Sequence, residues 1–261
     1  MDDFETLQLD LDSRGVLTVT LNLPQKKNAL SAKMISDLTK LANVVSQKTD
    51  IRVMILRGAG NIFCAGGDLG WMRQQINACR DQRIVEARKL AHMLRAFNEI
   101  ELPLIGAIHG GAFGGGIGMA CICDVAIAET ETKFGFTETR LGLIPATISP
   151  YVIARIGEGK ARRVLMSGRI FSAQEAKELD IIVDHVPLKE LDGRLEEEIL
   201  PYISAAPKAV AASKSLARAL GMRINDEVIE DTIKRLADTW EGEEASEGVD
   251  SFLNKRKPNW I

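Results

Sequence analysis

The stretch Leu104-Ile105-Gly106-Ala107-Ile108-His109-Gly110-Gly111-Ala112-Phe113-Gly114-Gly115-Gly116 decides the fold. An apolar β-type run feeds straight into a turn built almost wholly of glycine. The same pattern occurs upstream, where Ile51-Arg52-Val53-Met54-Ile55-Leu56-Arg57 leads to Phe63-Cys64-Ala65-Gly66-Gly67-Asp68. Glycine lets a backbone approach a ligand closely and lets an amide point out of a turn. Two such turns can aim two N–H groups at one oxygen. That arrangement is an oxyanion hole, and it implies chemistry on a carbonyl.

Working outward, residues 15–21 alternate and are rich in β-branched side chains, which predicts a strand. A polar loop, residues 22–28, follows with Pro24 inside it. Ser31 can cap a helix whose apolar positions Met34, Ile35, Leu38 and Leu41 recur at helical spacing. Strand, helix, strand in this order predicts a right-handed parallel crossover. Residues 82–99 read as a helix with an apolar stripe at Val85, Leu90, Met93, Leu94 and Phe97. Residues 115–123 are small and apolar, predicting a buried helix, and residues 124–128 predict a strand. Ser149 is read as an N-cap with Pro150 at the first helical position. Ser172 is read as the cap of a helix over 173–179, ahead of a strand at 181–183. From about Leu195 charged helical segments run to the end. The α/β chain is therefore divided into a core, residues 1–195, and a helical region, residues 196–261.

Composition narrows the function classes. The chain has 261 residues, 46% hydrophobic and 26% charged, enough for one large domain with an appendage. The formal net charge of -3 and the lack of a dense basic run argue against nucleic acid as the main partner. The longest basic cluster, Lys255-Arg256-Lys257, is near the C-terminus. No run of about 18 apolar residues predicts a membrane span. The start, Met1-Asp2-Asp3-Phe4-Glu5, lacks the basic and apolar regions of a signal peptide. Cys64, Cys79, Cys121 and Cys123 form no CxxC pair, so reduced thiols in a cytoplasmic protein are expected. With three histidines and no ligand spacing, no metal is expected.

Glycine turns after strands also cradle dinucleotide phosphates, but the GxGxxG spacing does not occur at 110–118 or 58–67. The segment Gly114 to Gly118 opens a helix. Its first amides have no partner within the helix and its dipole favours negative charge, which suits a developing enolate.

On these residues the chain resembles the enoyl-CoA hydratase/isomerase (crotonase) superfamily. The resemblance rests on Asn28-Ala29-Leu30, Phe63-Cys64-Ala65-Gly66-Gly67-Asp68-Leu69 and Gly111-Ala112-Phe113-Gly114-Gly115-Gly116. It continues through Cys123-Asp124, Phe134-Gly135-Phe136-Thr137-Glu138, Leu141-Gly142-Leu143-Ile144-Pro145 and Phe252-Leu253-Asn254-Lys255-Arg256-Lys257-Pro258. It implies a spiral of β-β-α turns, a helical C-terminal trimerisation region, acyl-CoA thioester substrates and no separate cofactor. The assembly it implies is a homotrimer or a dimer of trimers.

The resemblance assigns the oxyanion hole to the N–H groups of Gly67 and Gly115 and the acid/base to Glu138. It puts Lys26, Ala65, Gly66, Asp68, Leu69, Trp71, Gly114, Pro145 and Lys255 around the substrate, with Met72 a further candidate for the acyl pocket. Many hydratases of the family carry a second glutamate where this chain has Gly118. A single carboxylate can hydrate a double bond or shift it between carbons, so a Δ3,Δ2-enoyl-CoA isomerase is the alternative, and a non-catalytic CoA- or RNA-binding relative another. Residues 68–73, 116–118 and 142–150 look like 3-methylglutaconyl-CoA and isohexenylglutaconyl-CoA hydratases. For such substrates Arg73, Arg140 and Arg155 are candidates to meet a second carboxylate. Cys121 and Cys123 are read as packing residues and His109 as structural.

Overall fold

The computed structural model describes residues 4–261; Met1, Asp2 and Asp3 of the acidic start lie outside them. The chain opens with a hairpin, β1 (Leu7–Leu11) and β2 (Val16–Leu21), whose turn is held by Asp12 Oδ1 accepting from the Arg14 and Val16 N–H groups. Helix α1 (Ala32–Val45) starts at Ser31, whose hydroxyl accepts from Met34 N–H as its sequence position predicts. Strand β3 (Val53–Gly58) is followed by α2 (Leu69–Asn77) and α3 (Arg80–Glu99). Then come β4 (Leu104–Ile108), β5 (Gly111–Phe113), α4 (Gly115–Ile122), β6 (Val125–Glu129) and β7 (Lys133–Gly135). A 3₁₀ turn, Glu138–Leu141, leads to α5 (Ser149–Leu165), β8 (Ile170–Ser172), α6 (Ala173–Glu178) and β9 (Asp184–Val186). Four helices close the chain: α7 (Leu188–Ser204), α8 (Pro207–Leu220), α9 (Asp226–Trp240) and α10 (Glu243–Leu253).

The strands form a six-stranded sheet in the order β1-β2-β3-β4-β6-β9 and a three-stranded sheet β5-β7-β8. Beyond the antiparallel hairpin every pair in the larger sheet is parallel, as the strand-helix-strand order predicts. Alternate residues of its middle strands face different layers. Met54, Leu56, Leu104 and Ile108 enter the main core. Val53, Ile55, Ile105, Ala107 and Ile127 enter a second cluster with Leu191, Leu195 and Ile199 of α7. The first helix of the C-terminal run therefore covers one face of the sheet, and it passes through residue 195 without a break.

Several elements sit differently from their sequence reading. The strand expected at 181–183 pairs instead at Asp184–Val186, because the Ile181 and Ile182 amides bond back to Ala176 O at the end of α6. Val85 is solvent-exposed; α3 buries Ala87 and Ala91 instead, and these small residues let Ile229 and Ile233 of α9 approach. Ser149 stands inside α5 after Ile148 as N-cap, and its hydroxyl donates back to Pro145 O. Ser172 does cap α6, accepting from Glu175 N–H. The smaller sheet has strands of three residues each, too short for their alternation to register in sequence. Among the described residues no helix is long and apolar enough to cross a membrane.

Candidate active site

The two glycine turns are hydrogen-bonded to each other. Phe63 N–H donates to His109 O, Cys64 N–H to Gly111 O, and Phe113 N–H to Cys64 O. These bonds continue the parallel pairing of β3 and β4 past the strand ends and bring the turns face to face. The approach is so close that a methyl group on Gly66 would lie 2.8 Å from Phe113 O and 3.8 Å from Gly115 N. Gly66 has φ +90° and Gly114 has φ +47°, conformations that side chains other than glycine's disfavour. Leu30 joins the same turn, donating its N–H to Gly66 O and accepting from Asp68 N–H. Buried Asn28 fixes the approach to Leu30, with Nδ2 donating to Ala59 O and Ile62 O and Oδ1 accepting from Leu23 N–H.

Among the described residues, neither Gly67 N–H nor Gly115 N–H has an acceptor. Gly115 is the first residue of α4, so the positive end of that helix adds to its amide. Both glycines line one cavity of about 110 Å³, along with Ala65, Gly66, Gly114, Trp71, Met72 and Pro145. Glu138 lines it as well, at the start of the 3₁₀ turn. Its Oε1 lies so near Gly114 that a methyl group there would stand 2.6 Å away. Its Oε2 is shielded from solvent and, among the described residues, has no hydrogen-bond partner. Burial pushes the Glu138 carboxyl up to about 7, and only its own backbone N–H pulls the other way. The Trp71 indole Nε1 is also buried without a partner.

Gly118 is buried beneath this cavity, and the structure gives its glycine a cause. A Cβ there would fall 2.3 Å from Ile148 Cγ2, and Ile148 itself lines the cavity. The space that a larger side chain at 118 would need is filled by an apolar one. Among the described residues Glu138 is accordingly the sole carboxylate in the wall.

Other candidate residues stand elsewhere. Asp68 caps α2, its Oδ1 accepting from Trp71 N–H, and Lys26 Nζ approaches its Oδ2 at 4.0 Å. Lys26, Asp68, Leu69 and Lys255 are not in the cavity wall. Neither are the three arginines considered for a second carboxylate. Arg155 donates to the carbonyls of Cys121, Cys123 and Asp124 at the end of α4, so it is a structural clamp. Arg73 and Arg140 are exposed. His109 Nε2 lies 3.0 Å from Gly60 O, and Cys121 and Cys123 are buried with their thiols pushed up to about 12 by burial. Leu236 and Trp240 of α9 complete the wall, a contribution from the C-terminal helices that sequence reading missed. The signal for it was the apolar stripe Ile229, Ile233, Leu236 and Trp240. Among the described residues no group of three or more His, Cys, Asp or Glu side chains could hold a metal ion.

Comparisons with known proteins agree with this geometry. Enoyl-CoA isomerase/hydratase fer4 of Mycosarcoma maydis is 33% identical over 266 residues, covering 94% of this chain and 92% of its own. The crystal structure of an enoyl-CoA hydratase from Mycobacterium avium matches with a TM-score of 0.88 at 31% identity, over 100% of both chains. Pseudomonas aeruginosa AtuE matches with a TM-score of 0.81 at 36% identity, over 98% of this chain and 99% of its own. The family model for enoyl-CoA hydratase/isomerase matches residues 12–261, and the chain belongs to that family.

Proposed function

We propose that this protein adds water across the α,β double bond of an enoyl-CoA thioester. The observation that carries the reading is the meeting, in the wall of a single apolar cavity, of two glycines with uncommitted amides and one carboxyl whose Oε2 is partnerless among the described residues. The thioester oxygen accepts from Gly67 N–H and Gly115 N–H, which stabilise the enolate as charge moves onto that oxygen. Ionised Glu138 takes a proton from water while the water oxygen bonds to Cβ. Protonated Glu138 then delivers a proton to Cα and the carbonyl re-forms. The sum is one water added, with one carboxyl acting as base and then acid. A carboxyl held at about 7 has both forms available near neutral pH, which suits the double duty. CoA arrives as part of the substrate, and the reaction so written uses no separate cofactor.

The finer reading is 3-methylglutaconyl-CoA or a related branched glutaconyl-CoA as substrate. Its support is the likeness of residues 68–73, 116–118 and 142–150 to such hydratases. By the same resemblance Lys26 and Lys255 are assigned to the CoA portion, and Asp68 and Leu69 to the substrate. A cytoplasmic homotrimer or dimer of trimers is part of the proposal. It is supported by α8, which has no buried residue and leaves Leu216 and Leu220 61% and 81% exposed.

The test is turnover in heavy-oxygen water, with 3-methylglutaconyl-CoA, crotonyl-CoA and a 3-enoyl-CoA supplied separately. Label in the 3-hydroxyacyl product is expected. A double-bond shift without label, or acyl-CoA binding with no turnover across the panel, overturns the proposal. A preference for crotonyl-CoA over 3-methylglutaconyl-CoA overturns the finer reading alone.

A further inference from the structure

The acyl cavity has a neighbour. Between α1 and α3 a second cavity of about 610 Å³ opens to the surface, with Ala32, Ser36, Thr39, Lys89 and His92 in its wall. Among the described residues exactly one side chain belongs to both walls, that of Ile35. Ile35 is 4% exposed and sits in the first turns of α1, where its N–H donates to Ser31 O and its carbonyl accepts from Thr39 Oγ1. Its backbone is thus held from both sides. A β-branched side chain in a helix has one strongly preferred χ1, so Ile35 cannot swing aside as a leucine or methionine could.

We propose that Ile35 is the partition that sets how long an acyl chain this site accepts. The inference rests on the enoyl-CoA reading and deepens it. Short chains end inside the cavity of about 110 Å³. A longer chain meets the Ile35 branch. Shortening that side chain joins the cavity to the groove beyond, whose helix-helix floor offers apolar surface to the distal acyl carbons. Val44 of α1 lines the groove but not the acyl cavity and serves as the comparison position.

The experiment measures kcat/KM for crotonyl-, hexenoyl-, octenoyl- and decenoyl-CoA with the full chain. Wild type is expected to decline along the series. Ile35→Ala is expected to raise the decenoyl-to-crotonyl ratio by about tenfold or more, the scale on which methylene-sized changes in an apolar pocket discriminate. Ile35→Val is expected to raise it less, in the same direction, and stands in should the alanine variant fail to fold. Val44→Ala is expected to leave the ratio within about twofold of wild type. Calorimetric binding of butyryl-CoA and decanoyl-CoA gives the same comparison without turnover. Ratios unmoved in both Ile35 variants, or moved equally by Val44→Ala, overturn the partition. If crotonyl-CoA is hydrated and the ratios do not move, the partition fails and hydration stands. If wild type hydrates nothing but decanoyl-CoA binding rises selectively in the Ile35 variants, hydration fails and the partition stands.

Discussion

Two buried carboxylates, Asp37 in the α1 corner and Glu138 in the cavity, live under opposite rules. Asp37 is 4% exposed, yet its Oδ2 accepts from Thr6 N–H at 3.1 Å and Thr6 Oγ1 at 2.9 Å, and its Oδ1 from Lys33 Nζ at 2.7 Å. Burial pushes its carboxyl up, but Lys33 and Thr6 outweigh that and hold it below 3.8. The Glu138 carboxyl is withdrawn from water too, but among the described residues no hydrogen bond reaches its Oε2, and it rises to about 7. Burial alone therefore does not fix the state of an acid; the partners do. The corner is satisfied for the sake of the fold. The cavity is left unsatisfied, and an incoming substrate with its water is what would complete it.

The strongest way to break this contrast is Glu138→Gln. Glutamine keeps the shape and removes the titration. The expected result is a fall in kcat of ~10³-fold or more, within the range that positioned acid–base groups supply. The same variant should gain stability. A carboxyl whose folded value is above its unfolded value binds more protons when folded, so it destabilises the fold as pH rises from 4.5 through 7. Glutamine should relieve up to about 3 kcal/mol of this at pH 8 and nothing near pH 4, measured by denaturant unfolding at both. Equal stabilities at pH 8 would mean that Glu138 is solvated and the contrast with Asp37 is false.

The amides belong to the unsatisfied side of the comparison, and Gly67 tests them. A Cβ on Gly67 meets only the Met72 methyl, at 3.1 Å, so the flexible end of one side chain absorbs it. Gly67→Ala keeps the N–H and is expected to lose less than tenfold in kcat. Gly67→Pro removes the N–H and should lose about 10²–10³-fold, the ~2.7–4 kcal/mol that one oxyanion donor is worth. Similar losses in both variants would mean that the amide contributes nothing beyond shape.

How much of this was legible in the sequence follows the same division. The glycine turns could be read because Gly66 and Gly114 need backbone conformations that leave a compositional trace. Glu138 was legible through its motif, and the caps at Ser31 and Ser172 through local spacing. Contacts across space left no such trace. Nothing near Gly118 announces that Ile148 fills its place, and the apolar stripe ending in Leu236 and Trp240 marks a buried face of α9 without naming the cavity it walls. Nothing near Arg155 in the sequence marks the carbonyls of Cys121, Cys123 and Asp124 that it bonds around the end of α4. Asp37 passed unnoticed because its significance lies in Thr6, on the far side of a strand pair.

The smallest expected effect is therefore at that unnoticed acid. Asp37→Asn removes the charge that Lys33 and both Thr6 donors face, and loses on the order of 2 kcal/mol at pH 7, as hydrogen bonds to charged groups imply. Its pH signature is the mirror of Glu138's. A carboxyl held lower in the fold than in the unfolded chain stabilises above the unfolded value of 3.8, and that stability is lost as pH falls through the folded value. Wild type should lose its advantage over Asp37→Asn on acidification below about pH 4, while the folded variant's kcat at pH 7 matches wild type. Unfolding curves between pH 3 and 7 check this. An advantage that persists at pH 3 would show that shape, not charge pairing, holds the corner, and pairing would no longer be what separates the two acids.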